Sequence, residues 1–223
     1  MLLIAAHLSA GRADKPSHKA SGLTRGGIFG AALLICLLGG RLSGQAQSPD
    51  RPLLLPSRDV GVAYQIDGAR LNDAHKMQVT YAQGGERSRI DYFRWPEAEQ
   101  PFMSMIFDQS RGHIITVMPE SRSYLEQPIG TYGNPAAFLN PDMGFLRQGQ
   151  ETVAGRLCTD WNVDLPSKHV DVGVACITDD GIMLRLAFRN RPGSMMTATV
   201  IQYGAPPSGA FSPPADYTER RLR

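Results

Sequence analysis

The chain has 223 residues, enough for one ordinary domain, of which 42% are hydrophobic and 20% are charged. This balance excludes a disordered, strongly charged chain and allows a hydrophobic core. The net charge of +2 is unevenly distributed: residues 1–46 carry five basic residues and one acidic residue, which leaves residues 47–223 with a net charge of −2. Because a nucleic-acid-binding domain needs a basic surface in its folded part, we expect no nucleic-acid partner.

The first 46 residues are typical of a cleavable export signal. Fifteen uncharged residues, 26–40, follow a lead-in that contains basic residues. This run is too short for a membrane-spanning helix, which needs about 20 apolar residues, but it suits the apolar centre of a secretory signal. The small residues Gly44 and Ala46 predict cleavage after Ala46. We therefore expect a periplasmic protein without a stable transmembrane anchor after cleavage.

Three alternatives to this export signal remain open. An uncleaved signal would anchor the chain in the membrane. Lipid attachment at Cys36 is disfavoured because Ile35 precedes it, where a small residue is usual. A translation start near Leu23 would shorten a leader that is unusually long.

A linker and a run of strands follow the signal. Residues 47–58 contain three prolines that prevent regular structure. Residues 59–217 form the predicted domain, and residues 218–223 form a tail. Alternation of apolar and small or polar residues from Val60 to Ile66 predicts the first strand.

The next two strands meet at Gly84-Gly85. A Gly-Gly pair between alternating segments is a strong hairpin signal, because both residues take positive φ easily. The register that follows sets Val79 opposite Ile90 and Met77 opposite Tyr92.

The rest of the domain is also mainly β. Period-two segments predict further strands at 102–107, 113–118, 122–126, 157–165, 170–178, 182–188 and 194–203, for a total of roughly nine or ten. Asn134 as a cap and Pro135 at the first helical position predict a short helix over 134–139, and residues 143–148 are predicted as one or two further turns. We interpret the Gly- and Pro-rich segment 129–149 as a lid over one face of an antiparallel meander sheet.

The two cysteines that remain after cleavage, Cys158 and Cys176, predict a disulfide. Their number is even, and the compartment is oxidising. They are placed symmetrically about Ser167 in the predicted hairpin 157–178, which makes them cross-strand neighbours with Cβ atoms about 4.5–5.5 Å apart, close to disulfide reach. The alternative is two unrelated buried thiols. A zinc site is not expected, because no pair of histidines lies nearby in the sequence.

No catalytic motif was found in the sequence. A nucleophile elbow, a phosphate loop, metalloprotease and Cys-x-x-Cys motifs and a calcium loop are all absent. His113 near Asp108 is the best candidate for a base, but a histidine in a turn at a strand edge is the simpler interpretation. Glu120 and Glu126 are best interpreted as solvated side chains. We expect no enzymatic activity, no cofactor and no metal.

Three segments carry a family resemblance: VMPESRSYLEQP at 117–128, LCTDWNV with ACITDDGIMLRLAF within 157–188, and GAFSPPADY at 209–217. Together they resemble an exported bacterial domain family of unknown function within the LolA-like superfamily of periplasmic lipid and lipoprotein carriers. The resemblance implies a mainly β (α+β) fold: a curved antiparallel sheet forming an open half-barrel, closed on its concave side by a short helical lid. It also implies that the concave side of such a sheet binds acyl chains in some relatives.

These observations favour a non-catalytic carrier or sensor of a lipid or other hydrophobic small molecule. The alternative is a structural or protein-binding module of the cell envelope, with an envelope protein as its partner. For the carrier, we predict that eight apolar side chains line the cavity: Val79, Ile90, Tyr92, Phe107, Ile115, Phe138, Leu184 and Leu186.

Overall fold

The computed structural model of the chain describes residues 51–68, 73–130, 138–166, 170–189, 193 and 195–221. All of them belong to one compact unit, Ala46–Arg223. The predicted signal peptide and most of the predicted helix 134–139 lie outside the described residues. Within the described ranges, no helix has the length and apolarity that crossing a membrane requires.

The described residues contain twelve strands and two short 3₁₀ turns. In chain order, the strands are β1 (Val60–Asp67), β2 (Lys76–Ala82), β3 (Arg87–Phe93), β4 (Met103–Asp108), β5 (His113–Met118), β6 (Ser123–Pro128), β7 (Gly144–Val153), β8 (Arg156–Leu165), β9 (Val170–Ile177), β10 (Met183–Phe188), β11 (Met195–Tyr203) and β12 (Thr218–Arg220). The 3₁₀ turns are Gln83–Gly85 and Pro119–Ser121.

All twelve strands belong to one sheet, in the order β12-β6-β5-β4-β3-β2-β1-β11-β10-β9-β8-β7. Every neighbouring pair is antiparallel except β12 and β6, which are parallel. Because β12 and β7 stand at opposite ends of this order, the sheet is not closed into a barrel. The prediction of a mainly antiparallel, open sheet is therefore confirmed.

The first predicted hairpin has the predicted register. Val79 pairs with Ile90, and Met77 pairs with Tyr92. Gly84 and Gly85 both have positive φ, as the hairpin signal requires. The last pair is Ala82 with Arg87, so the loop has four residues rather than two.

Two segments differ from the sequence prediction. Residues 143–148 were predicted as helical turns, but Gly144–Val153 forms strand β7. Ala154 and Gly155, both at positive φ, turn the chain tightly, so that β7 pairs along β8 and gains the backbone hydrogen bonds of a ladder. The predicted tail contains β12, which lies beside β6. The helical lid is not confirmed, because the described ranges contain no α-helix.

Strand alternation separates two faces of the sheet. The inner face carries a cluster of buried apolar side chains that includes Val62, Val79, Phe107 and Leu186. Tyr64 also lies in this cluster, and its hydroxyl donates a hydrogen bond of 2.7 Å to the backbone carbonyl of Met183. Burial of apolar area on this face is the main stabilising contribution to the fold.

The outer face of β1–β6 is crossed by the C-terminal segment 204–217, here called the strap. Arg89 donates a hydrogen bond of 3.0 Å to the carbonyl of Ala210, and the Arg87 guanidinium lies 4.7 Å from the centre of the Phe211 ring. Beyond the strap, β12 pairs with β6. The strap therefore covers β3 and β4 on the side away from the inner face.

The predicted disulfide between Cys158 and Cys176 is confirmed, with Cα atoms 5.4 Å apart. Its predicted register is wrong, because Cys176 pairs with Asp160 and the disulfide joins diagonal positions. Two causes add up. The hairpin closes at Leu165 and Val170, one residue later than predicted, and the register shifts once more between Val163 and Asp164. Diagonal neighbours on one face are still within reach of each other.

Replacement of both cysteines, Cys158→Ser with Cys176→Ser, is expected to lower the free energy of unfolding by about 3 kcal/mol, because the unfolded chain loses a loop constraint. Urea denaturation of the exported mature protein measures this difference. A reductant should not change the free energy of unfolding of the double variant. It should lower that of the wild type towards the value of the double variant. Two freely alkylated thiols in non-reduced, denatured wild type would contradict the disulfide.

Candidate functional site: the inner face and its cover

Six of the eight predicted cavity residues lie together on the inner face. They are almost completely buried, with exposed fractions of 0–3%: Val79, Ile90, Tyr92, Phe107, Leu184 and Leu186. All six belong to the same apolar cluster. We call these six side chains the floor of the candidate site. Other segments of the chain lie over the floor and exclude water from it.

Ile115 lies instead on the outer face. It pairs with Ile106, which pairs in turn with Arg89, so all three side chains point away from the floor. Ile114 is the residue opposite Phe107, and it is buried in the inner cluster. Because residues 114 and 115 are both isoleucine, the residue type does not show which of the two side chains faces inwards. Only the pairing across the β4–β5 turn shows which one faces inwards.

The inner face is covered by two segments without helix or strand. They are residues 51–58 and 138–143, here called the cover. Leu54, Leu55 and Phe138 are partly buried and pack against the apolar cluster, whose buried members include Leu139. Residues 47–58 were predicted as a linker only. Three consecutive leucines, 53–55, were the signal that this segment needs an apolar surface to pack on.

Arg51 joins the two segments of the cover. Its guanidinium donates hydrogen bonds to the backbone carbonyl of Pro141 and, at 2.6 Å, to that of Met143. The same group lies 5.3 Å from the centre of the Phe145 ring on β7. The two segments therefore contact each other as well as the floor.

Two glycines let the cover lie close against the sheet. At Gly181 (φ +87), an added Cβ would lie next to the carbonyl oxygen of Leu55. At Gly85 (φ +88), it would lie 2.9 Å from a methyl group of the Leu55 side chain. No larger residue fits at either position without moving the cover.

Asp180 holds the C-terminal end of the first cover segment. Its carboxylate accepts hydrogen bonds from Arg58 at 2.8 and 3.0 Å, from Tyr203 at 2.9 Å and from Thr178 at 2.5 Å. The backbone N–H of Ser57 donates a hydrogen bond of 3.0 Å to the Asp180 carbonyl. We call this set of contacts the latch.

The latch weakens in acid. Burial alone would raise the pKa of Asp180, but the hydrogen bonds from Thr178, Arg58 and Tyr203 together lower it below its ordinary value of 3.8. A carboxylate with a lowered pKa stabilises the folded state above its unfolded pKa and loses that contribution as pH falls through the folded pKa. The latch is therefore complete at neutral pH, and it is lost only as the pH falls through the lowered pKa of Asp180, which lies below 3.8.

Little empty space remains between cover and floor. The residues Leu54, Phe138, Tyr81 and Met183 are among those that line a cavity of about 10 Å³. Beside it, Arg51, Arg147 and Trp161 line part of an open pocket of about 170 Å³. Small-molecule sites usually have about 300–1,000 Å³. A bulky ligand on the floor thus requires the cover to move.

Metal and acid–base chemistry have few candidates among the described residues. Donor atoms of Glu151, Cys158 and Cys176 lie within 4.8 Å of one another, but the disulfide engages both sulfurs. A carboxylate oxygen of Glu151 lies 2.8 Å from Arg185. His113 contacts Glu126 at 2.7 Å, and it lies on the outer face, away from the floor.

Comparison with solved structures finds distant similarities. An uncharacterized conserved protein from Thermus thermophilus is 10% identical with a TM-score of 0.47, covering 74% of this chain and 91% of the other. A LolA superfamily protein from Nitrosomonas europaea is 11% identical with a TM-score of 0.36, covering 70% and 91%. The complex of MucA and MucB from Pseudomonas aeruginosa is 12% identical with a TM-score of 0.43, covering 71% and 56%. This chain thus spans little more than half of the last protein.

A LolA superfamily protein is among the similar structures, as the sequence motifs led us to expect. No protein-family model and no curated protein matches the sequence. Because the identities are at most 12% and the TM-scores lie below 0.5, function is inferred from this chain's own side chains.

The close approach of Leu55 predicts different effects for two glycine substitutions. In Gly84→Ala, the added methyl group has no atom within 4 Å. The free energy of unfolding should therefore fall only by the strain of positive φ, about 1–2 kcal/mol. Gly181→Ala adds a clash with Leu55 and should cost about 1–3 kcal/mol more. Urea denaturation measures both losses, and tryptic cleavage after Arg58 reports on release of the cover. Equal losses and equal cleavage rates would show that Leu55 is not held against Gly181.

Proposed function

We propose that this chain is an exported, non-catalytic binding domain that carries or senses a lipid-like ligand on the inner face of its sheet, beneath the cover. The observation that supports this most is the difference between the two layers. The floor is a hydrogen-bonded sheet, whereas the described residues of the cover have no helix or strand. A ligand that replaces the cover leaves the sheet intact.

The floor has the chemistry that an acyl chain needs. Its six side chains are aliphatic or aromatic, and the polar residues that are buried among the described residues are serines and threonines without charge. Each methylene group moved from water onto such a surface gains up to about 0.8 kcal/mol. Tyr81 on β2 and Met183 on β10 line the same small cavity, although two strands lie between them. That arrangement supports the concave face implied by the family resemblance.

The cover is held by contacts that can be exchanged for a ligand. Its apolar contacts are those of half-buried residues such as Leu54 and Leu55, about 1–2 kcal/mol each. The Arg58–Asp180 ion pair is largely exposed on the Arg58 side, so solvent screens it. Local opening of such a segment costs less free energy than global unfolding. An acyl chain that buries several methylene groups offsets that cost.

The compartment follows from the same proposal. Cleavage after Ala46 would make the first cover segment the N-terminal part of the mature protein. A terminal segment can leave the floor without a second hinge. The disulfide fits an oxidising compartment, here the periplasm. Mass spectrometry of protein from an exporting host should find Gln47 as the N-terminal residue.

Binding of a fluorescent long-chain fatty acid to the exported mature protein tests this function. We expect saturable binding by the wild type, and faster binding by Asp180→Asn, because loss of the latch raises the population of the open cover. Stopped-flow fluorescence measures the rates, and native mass spectrometry with organic extraction identifies any lipid that co-purifies. Asp216→Asn is the matched control, since it removes an exposed ion pair with Arg122 on the strap.

The rates separate the possible outcomes. Binding by Asp216→Asn should match that of the wild type. The proposal is wrong if neither wild type nor Asp180→Asn binds the fatty acid and no lipid co-purifies. Binding at equal rates in all three proteins would place the ligand away from the cover.

A protein-binding module is the second candidate function. Strand β7 ends the sheet, is ten residues long and is largely exposed. Leu146 on β7 and Leu157 on β8 are 65% and 61% exposed. An exposed edge strand can accept a strand from a partner. This candidate gains support if the mature protein pulls down an envelope protein and Leu146→Lys abolishes the capture.

A further inference from the structure

A second pocket lies on the opposite side of the sheet, between the strap and the β4–β5 hairpin. Its volume is about 340 Å³, within the range of small-molecule sites. We call it the outer pocket. Ile106 and Ile115 form its apolar base, and Phe211 from the strap lines one side. Nothing in the proposed lipid function uses this pocket.

The carboxylates of this outer pocket already have donors. Asp108 accepts hydrogen bonds from the Ser110 hydroxyl at 2.6 Å and from the backbone N–H of Arg111 at 3.1 Å. These bonds, with nearby guanidinium groups, lower the pKa of Asp108, although burial opposes them. Glu126 lies 2.7 Å from Nδ1 of His113. One oxygen of each carboxylate is therefore engaged.

The two arginines of the outer pocket retain unused donors. Nε of Arg87 lies 3.8 Å from an oxygen of Asp108, and Nε of Arg111 lies 3.9 Å from the same oxygen. Both distances are too long for hydrogen bonds. Nε of Arg87 is buried and has no hydrogen-bond partner within the described residues, so a ligand would reach this partly exposed guanidinium through its terminal N–H groups. The Phe211 ring makes a cation–π contact with this guanidinium, whose central carbon lies 4.7 Å from the ring centre.

We propose that the outer pocket binds a small organic carboxylate with an apolar body. The carboxylate accepts hydrogen bonds from Arg87 and Arg111, which supply planar, charged donors suited to that group. The apolar body lies on Ile106 and Ile115, beside Phe211. A cationic ligand would face two guanidinium groups, and each carboxylate of the pocket already has one oxygen in a hydrogen bond. A neutral ligand would leave both guanidinium groups without a charged acceptor.

Isothermal titration calorimetry with 3-phenylpropionate tests this site in the mature protein. We expect saturable binding with a Kd of about 1 mM or tighter for a ligand of this size. The matched neutral probe, 3-phenylpropan-1-ol, should bind at least about tenfold more weakly, because it lacks charge-assisted hydrogen bonds. Arg87→Gln and Arg111→Gln should each weaken acid binding by about tenfold. Arg220→Gln, an exposed arginine outside the pocket, should leave it unchanged.

Three results would overturn the proposal: no saturable binding of the acid, equal affinity for acid and alcohol, or full acid binding by both pocket variants. Arg111→Gln is decisive if Arg87→Gln fails to fold, because the Arg111 side chain is 79% exposed and its loss leaves the fold intact. Since this pocket and the inner face lie on opposite sides of the sheet, failure of one proposal leaves the other standing.

Discussion

The contact between Leu55 and the sheet is the interaction on which the inner face depends. An open sheet with one apolar face needs a second layer, which is usually made of helices or another sheet. In the described residues, that layer is instead the cover, and Leu55 reaches the floor only because Gly85 and Gly181 have no side chain. Asp180, the neighbour of Gly181, holds the same segment through Ser57 and Arg58. The close packing of Leu55 and the hydrogen bonds of Asp180 thus hold the first cover segment at the same place on the sheet.

The outer face is covered by the strap, which is attached to the sheet in a different way from the inner cover. The strap is joined to the sheet by Arg89, which donates to Ala210, and by β12, which adds a strand beside β6. Ile106 is 1% exposed beneath this layer, although its neighbours on that face include charged groups. The inner cover rests mainly on apolar contacts and one latch, whereas the strap combines an ion pair, a cation–π contact and strand pairing. This contrast makes the inner cover the better candidate for the layer that moves.

Much of the fold was predictable because each strand carries its own period-two pattern. The β2–β3 register followed from Gly84-Gly85 alone, and β5 was predicted with the bounds that it has. Strand β7 escaped prediction because most of its side chains are exposed and show no apolar alternation. The disulfide was predicted from cysteine number and hairpin symmetry. Its diagonal geometry depends on a register shift next to Gly173, and a single glycine within a strand indicates a bulge without fixing its effect on the pairing.

The candidate site was predictable only in its floor. Six floor residues follow from alternation, since side chains of one strand face share a side. The latch joins Arg58 to Asp180, 122 residues later, and such a contact is set by the tertiary fold. The choice between Ile114 and Ile115 likewise depended on pairing with β4. Local patterns specify strands and faces, whereas covers and latches depend on chain segments that meet only after folding.

Hydrogen exchange at the Ser57 amide tests most directly whether the cover is a separable layer. This N–H is bonded to the Asp180 carbonyl, so its protection reports on seating of the cover, while the paired amides of β2 and β3 report on the floor. We expect Ser57 to exchange faster than those amides, through local opening, and a bound long-chain fatty acid to change its protection while leaving the floor protected. Exchange of Ser57 at the same rate as the floor amides, with and without fatty acid, would show that cover and floor open only together and would contradict the account.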